Sequence, residues 1–165
     1  MALELKIDLS DLANFAAKMP EVNQAVENEQ RAAMYASLSV LEQAVTVRTP
    51  VNAGTARQGW TTQVTGTPAR LLGELFNPVA YALPVETGRR PGKQPPIEVI
   101  QLWVTRKLGL TGKDARSAAF LIARAIGRRG TKGAYMLRDG WAQAEPLIIR
   151  LHEAIPAKAL AKLQI

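Results

Sequence analysis

A chain of 165 residues, nearly half of them apolar and about a fifth charged, suits one domain that buries about two thirds of its unfolded surface. The absence of cysteine excludes a disulfide framework and a thiolate metal site, and no run approaches the roughly 18 to 20 apolar residues of a membrane span. The net charge of +7 is unevenly spread: residues 48–138 carry fifteen basic and four acidic side chains, whereas residues 1–47 carry three and seven.

That split fits a basic surface facing a polyanion, or one facing the acidic surface of an identical neighbour. The plain alternative is two solvated faces without a partner. At the N-terminus Leu3, Leu5, Ile7 and Leu9 alternate with polar residues, the pattern of a half-buried strand rather than the continuous apolar core of a secretory signal. Synthesis and assembly in a cytoplasm follow from this. Ser10 or Asp11 then caps a short helix that stops at Pro20. A long amphipathic helix is predicted from Glu21 to about Val47, with Val22, Val26, Ala33, Ala36, Val40, Ala44 and Val47 on one stripe.

The helical pattern ends in Thr49-Pro50-Val51-Asn52-Ala53-Gly54. Pro50 biases Thr49 away from the α region, and Asn52 and Gly54 tolerate positive φ. Arg57–Thr67 and Leu71–Val79 read as an antiparallel hairpin, and Tyr81–Glu86 as a further extended piece. Residues 87–96 are too proline-rich for a regular element. Pro96 opens a helix carrying Ile97, Ile100, Trp103, Val104 and Leu108. Gly109 and Gly112 end it, and a second helix through Ala115, Ala119 and Ile122 closes at Gly127 and Gly130. Thr131–Tyr135 is a turn. A last helix, interrupted near Pro146 and Pro156, completes the chain.

Chemistry-bearing patterns are few. Gly88–Gln94 and Gly127–Gly133 mimic phosphate loops, but the first is one residue short with Gln94 in the Ser/Thr position, and the second has Thr131 and Lys132 in the wrong order. The single histidine, His152, has no cysteine to pair with, and spacing brings it neither a serine nor a carboxylate. No His/Asp/Glu cluster has metal-ligand spacing. Glu74 and Glu86 are placed to meet across the hairpin, weak grounds for glycosidase-like chemistry. Neither an enzyme nor a cofactor is expected. The cations carry more weight. Arg89, Arg90 and Lys93 form a basic loop. Arg116, Arg124 and Arg128 step by four along one helix face with Phe120, and Arg129 and Lys132 extend them. This pattern is a sequence-blind phosphate surface, a dock for an acidic subunit, or a solvated face.

A helix ending in Thr-Pro-x-Asn-x-Gly-x-x-Arg (residues 49–57), a hairpin, then Tyr81-Ala-x-x-x-Glu86-x-Gly88, resembles the tail-completion or head–tail joining (neck) proteins of long-tailed bacteriophages. The group includes the lambda-like minor tail protein Z. The likeness runs over roughly residues 1–140. A helical pair inserted at about 96–130, with Trp103-Val104-x-Arg106-Lys107-Leu108 and Gly130-Thr131-Lys132-Gly133, matches the same arrangement. The resemblance implies one α+β domain over 1–165: a small antiparallel sheet packed on a long helix, with an inserted helix pair and a C-terminal helix. Pro50, Asn52, Gly54, Arg57, Tyr81, Glu86 and Gly88 become fold-defining positions. Asn52 stands where aspartate is usual and Trp60 where a smaller aliphatic is common, which puts a salt bridge from the turn to Arg57 in doubt. The implied role is a non-enzymatic virion component, assembled in the host cytoplasm. It would form a homo-oligomeric ring, a hexamer favoured, between the head connector and the tail tube or tail terminator, surrounding the DNA path with non-specific DNA contact. A tail terminator ring fits the same pattern. The competing reading is a helix-turn-helix regulator using residues 97–128, although its second helix offers few groups for reading bases.

Overall fold

A computed structural model of the chain describes residues 10–51 and 54–162, with side chains of the first helix described from residue 16. Eleven elements follow in order: α1 (Ser10–Arg48), α2 (Thr55–Gln58), β1 (Thr61–Thr67), β2 (Arg70–Phe76), α3 (Ala82–Thr87), β3 (Gly88–Arg89), α4 (Ile97–Leu108), α5 (Gly112–Arg129), β4 (Thr131–Lys132), α6 (Met136–Glu153) and α7 (Ile155–Lys162). The class is α+β with helix dominant at 68%. The strand expected at residues 3–9 and the turn residue Asn52 lie outside the described residues.

The long helix is longer than expected. Pro20 does not stop it: α1 runs unbroken for 39 residues with Pro20 inside. Proline removes the bond to the carbonyl four residues back. Here both Pro20 and Ala16 are exposed, which leaves the freed Ala16 carbonyl accessible to solvent. The buried stripe is also rotated from the expected one. Ala33, Ser37, Leu38, Leu41, Ala44 and Val45 face inward, while Val47 is 70% exposed. Following the valines and alanines alone passed over Leu38 and Leu41, which carry more apolar surface.

The most extensive packing sets α1 against α6, with α7 continuing along α1. The crossing is close because Gly140 has no side chain: a Cβ there would lie 2.6 Å from Val45 Cγ2 and 3.1 Å from Val45 Cα. Leu41, Ala44, Val45 and Ala144 form the core at this point, with Trp60, Leu75 and Ile148 packed around it. Glu29, buried on α1, is paired with Lys162 of α7. A carboxylate withdrawn from water needs such a partner, so the pair ties the C-terminal helix to the middle of α1. The α6–α7 break falls at Ala154. Pro146 sits within α6, exposed like Ala142 four residues before it, so the expected interruption there does not occur. Pro156 occupies the first turn of α7, where proline is tolerated.

The hairpin is shorter than expected at both ends: Arg57 belongs to α2, and residues 77–79 lie beyond β2. Thr61 pairs with Phe76 and Thr67 with Arg70. Its inner face lies on α1, with Gly73 against Met34 and Leu38. Glu74 lies opposite Gln63. Glu86 belongs to a different element, so the two carboxylates are not partners across the hairpin. Tyr81–Glu86 is not extended: α3 begins at Ala82. Asn77 sets up that helix, accepting from the Val79 N–H (3.1 Å) and donating to the Ala56 carbonyl (2.7 Å). The proline-rich segment is not wholly irregular either. Gly88 and Arg89 pair antiparallel with Lys132 and Thr131.

The helices α4 and α5 pack on each other over Val104, Ala115 and Ala119, with Ile97, Ile100 and Trp103 alongside. Their limits match the sequence reading closely. Gly109 is left-handed at φ 69° and caps α4 by donating to the Thr105 carbonyl.

Candidate interaction surface

Motifs that lie far apart in the chain meet at one junction. Thr49, fully buried at the end of α1, donates through Oγ1 to the Val45 carbonyl (2.8 Å) and accepts from Trp60 Nε1 (2.9 Å). Arg57 donates through Nε to the Thr49 carbonyl (3.3 Å) and through Nη2 to the Val47 carbonyl (3.2 Å). The guanidinium thus closes the C-terminus of α1, where cations also complement the helix dipole. The partners of Arg57 here are backbone carbonyls, while Asn52 lies outside the described residues. Gly54, at φ 83°, carries the chain into α2. The indole of Trp60 earns its size: it fills core space and ties Thr49.

Glu86 holds the other side of the junction. Its carboxylate accepts from the backbone N–H groups of Leu137 (2.8 Å) and Arg138 (3.1 Å), the exposed donors of the first turn of α6. Side-chain oxygens and negative charge both stabilise a helix N-terminus. Tyr135, immediately before α6, is left-handed at φ 50°. Its backbone N–H donates to the Glu86 carbonyl (3.1 Å), and Ala134 donates to the Val85 carbonyl (2.8 Å). The Arg138 guanidinium lies 4.0 Å from the Tyr135 ring centroid and bonds Asp139 Oδ1 at 2.8 Å. That bond holds the Asp139 carboxyl below the usual carboxylate range and raises Arg138.

Gly88 permits the β3–β4 contact. It sits at φ 78°, and a Cβ there would lie 2.4 Å from the Thr131 carbonyl oxygen and 2.6 Å from the Gly133 nitrogen. Pro50, Tyr81, Arg89 and Thr131–Gly133 line one cleft of about 400 Å³. The two glycine–lysine segments that mimic phosphate loops are therefore mates: they pair with each other, and Gly92 donates to the Gly127 carbonyl at 2.7 Å. Sequence reading rejected each as a nucleotide loop but gave no sign of the pairing, since two-residue strands have no periodicity to detect.

This pairing joins the basic loop to the basic helix. Arg90, Lys93, Arg124, Arg128, Arg129 and Lys132 are all exposed around the C-terminal end of α5. Arg116 is exposed on the same helix face, about 18 Å upstream at about 1.5 Å per residue. Arg89 differs: it is half-buried and donates to the Lys93 carbonyl, so it shapes the loop from within. Phe120 is exposed among the arginines, and Leu121 beside it. The arrangement is a cluster of exposed cations with apolar side chains among them.

Exposed apolar side chains continue elsewhere. Leu83 (69%), Phe76, Leu137 and Trp60 surround an apolar cleft of about 280 Å³ between the hairpin, α3 and the start of α6. Val47 and Leu147 border a groove between α1 and α6. By contrast the fully buried large side chains are Met136, Val45, Val104 and Thr49 among the described residues. Much of the remaining core is alanine. The folded chain leaves many large apolar side chains exposed.

The lone histidine does meet a serine: Ser37 Oγ and His152 Nε2 share a hydrogen bond of 3.1 Å, 115 positions apart in sequence. Ser37 is only 4% exposed within the α1–α6 contact. The bond satisfies a polar group inside a helix interface. No sequence spacing announced it. Among the described residues no three His, Asp or Glu side chains cluster to hold a metal ion, and no helix is long and apolar enough to cross a membrane. No family model, no curated protein and no solved structure matches the chain.

Proposed function

We propose that this chain is a non-enzymatic structural subunit of the head–tail junction of a long-tailed bacteriophage, assembling into a ring around the DNA path. The observation that carries the reading is the convergence of three separated motifs. The segment 81–88 pairs with the Gly130–Gly133 turn, and Pro50 of the first motif lines the same cleft as Tyr81, Arg89 and Thr131–Gly133, beside which lies the basic end of α5 with its loop. The motifs of the resemblance thus serve as framework, and the cations are left for partners. Exposed apolar clefts beside a thin alanine-rich core support self-association. The excess of acidic residues before Val47 and of basic residues after it supports contact between unlike faces of identical subunits, the head-to-tail contact that closes rings. Cations lining a lumen would hold DNA without reading its sequence.

The test is light scattering and electron microscopy of the purified chain, together with its position in particles. The reading expects rings, six subunits favoured, and incorporation where connector and tail tube or tail terminator meet. A chain that stays monomeric at all concentrations and is missing from neck particles would end it. DNA binding separates this role from a sequence-reading regulator. Here affinity should fall by about 10³ or more between 50 and 200 mM salt when six or more phosphates are contacted, with no preferred duplex. Tight binding to one duplex in the presence of competitor DNA would favour the regulator.

A further inference from the structure

Two helix faces of this chain mirror each other in order and in charge. On α5, Arg116, Phe120 and Arg124 step by four along the side turned away from Ala115 and Ala119, which pack on α4. All three are exposed, Phe120 at 45%. On α6, Glu145, Ile149 and Glu153 step by four along the side turned away from Ala144 and Ile148, which pack on α1. These too are exposed, Ile149 at 50%. One stripe runs cation, apolar, cation; the other runs anion, apolar, anion. In each the two charges stand eight residues apart, about 12 Å at about 1.5 Å per residue.

Within one molecule the stripes do not serve each other. The helix α6 packs on α1 and α7, and α5 packs on α4. Among the described residues the ion pairs are Arg138–Asp139 and Glu29–Lys162, and none of the four charges of the stripes takes part. Phe120, Leu121 and Ile97 give the α5 face an apolar hollow of about 590 Å³, edged by Lys113, Arg116 and Ser117. A duplex would match the two arginines with phosphates but would offer nothing apolar to Phe120 and Leu121. An acidic face with an apolar centre meets all of these groups. The other helical carboxylates at the same spacing, Glu21 and Glu29, do not qualify, because Glu29 is buried against Lys162.

We infer that the Arg116–Phe120–Arg124 stripe of one copy docks on the Glu145–Ile149–Glu153 stripe of a second copy, Phe120 against Ile149 with an arginine–glutamate pair on either side. Equal spacing lets both pairs close when the apolar centres meet. The apolar contact supplies adhesion, and the flanking charges set register and exclude like-charged faces. The two faces differ, so the contact is head-to-tail and closes into a ring when the rotation permits. The inference rests on the ring reading and names one of its joints.

Charge reversal in the full-length protein tests it. One variant carries Arg116→Glu with Arg124→Glu, a second carries Glu145→Arg with Glu153→Arg, and a third carries all four changes. Each is followed by light scattering over a concentration series at low salt, with helix content checked by circular dichroism. Each two-site variant should keep its helix content and need about tenfold or more protein than the natural chain to assemble. The four-site variant, and an equimolar mixture of the two two-site variants, should assemble again, because every reversed face then meets its opposite. If the two-site variants assemble like the natural chain, the joint lies elsewhere: the inference is overturned and the ring reading stands. If they dissociate and neither the mixture nor the four-site variant recovers, the stripes are not partners, and the inference fails in the same way. A natural chain monomeric throughout defeats the inference and the ring reading together.

Discussion

Thr49 shows how one side chain fixes the corner of this molecule. Its hydroxyl donates to Val45 and accepts from Trp60, with no exposed surface. Thr49→Val keeps the volume but orphans the indole N–H, and should cost about 1–3 kcal/mol in urea denaturation. An unchanged midpoint would show that water replaces the hydroxyl. Glu86 acts likewise at the start of α6: Glu86→Ala should cost about 0.5–2 kcal/mol, and Glu86→Gln less, because the amide oxygen still accepts. The Asp139 carboxyl, held low by Arg138, has a folded pKa below its unfolded value. Its contribution is therefore present above the ordinary carboxylate range and is lost as pH falls through the lowered folded value. Both groups are fully exposed, so the check is the Asp139 carboxyl titration followed by NMR, expected to move toward the ordinary value in Arg138→Ala. Some of this was legible. Pro50 and Gly54 marked a turn, and Arg57 and Glu86 stood in a recognisable pattern. The partners they take, backbone carbonyls for Arg57 and the N–H groups of α6 for Glu86, lie in other elements, and no local rule supplies them.

At the scale of elements, punctuation was read well where glycine and proline act alone. Pro96 stands just before α4, Gly109 and Gly130 close α4 and α5 at positive φ, and Gly112 opens α5, because proline cannot continue a helix backwards and glycine tolerates positive φ. The same residue misled inside α1. Proline disfavours a helix interior, but exposure of Pro20 and Ala16 lets water meet the loss. Pro20→Ala should therefore stabilise α1, by up to about 3 kcal/mol where the N-terminal turns are coupled to unfolding. A near-zero change with unaltered helix content would instead fit a helix starting at Pro20. The segment Tyr81–Glu86, expected to be extended, is helical from Ala82. The Asn77 contacts that launch α3 join it to α2, a tertiary influence overriding local preference. Gly140 makes the α1–α6 crossing intimate. Gly140→Ala would press a methyl into Val45 and should lower stability by about 1–3 kcal/mol despite the better helix propensity of alanine. Helix propensity alone predicts the opposite sign, so thermal unfolding decides between the two.

For the whole molecule, the helices and the hairpin were readable from periodicity and their packing into one α+β domain from the resemblance, whereas the site was only half visible. The cations of α5 could be placed on one face by their four-residue steps. Their union with Arg90 and Lys93 required the β3–β4 pairing, between residues 42 and 44 positions apart and without a pattern of its own. This arrangement makes a collective prediction. Arg124→Ala with Arg128→Ala should weaken binding to any duplex alike and reduce the salt dependence by about two units of log–log slope, leaving the fold intact. A change confined to one DNA sequence would point to base reading instead. The most direct measurement of the central claim is a density map of the intact particle carrying this chain. The ring account predicts copies around the DNA path between the capsid portal and the tail, with α5 ends and their loops offered to DNA or to the next subunit. Finding the chain elsewhere in the particle, or finding single copies with no ring, would contradict it.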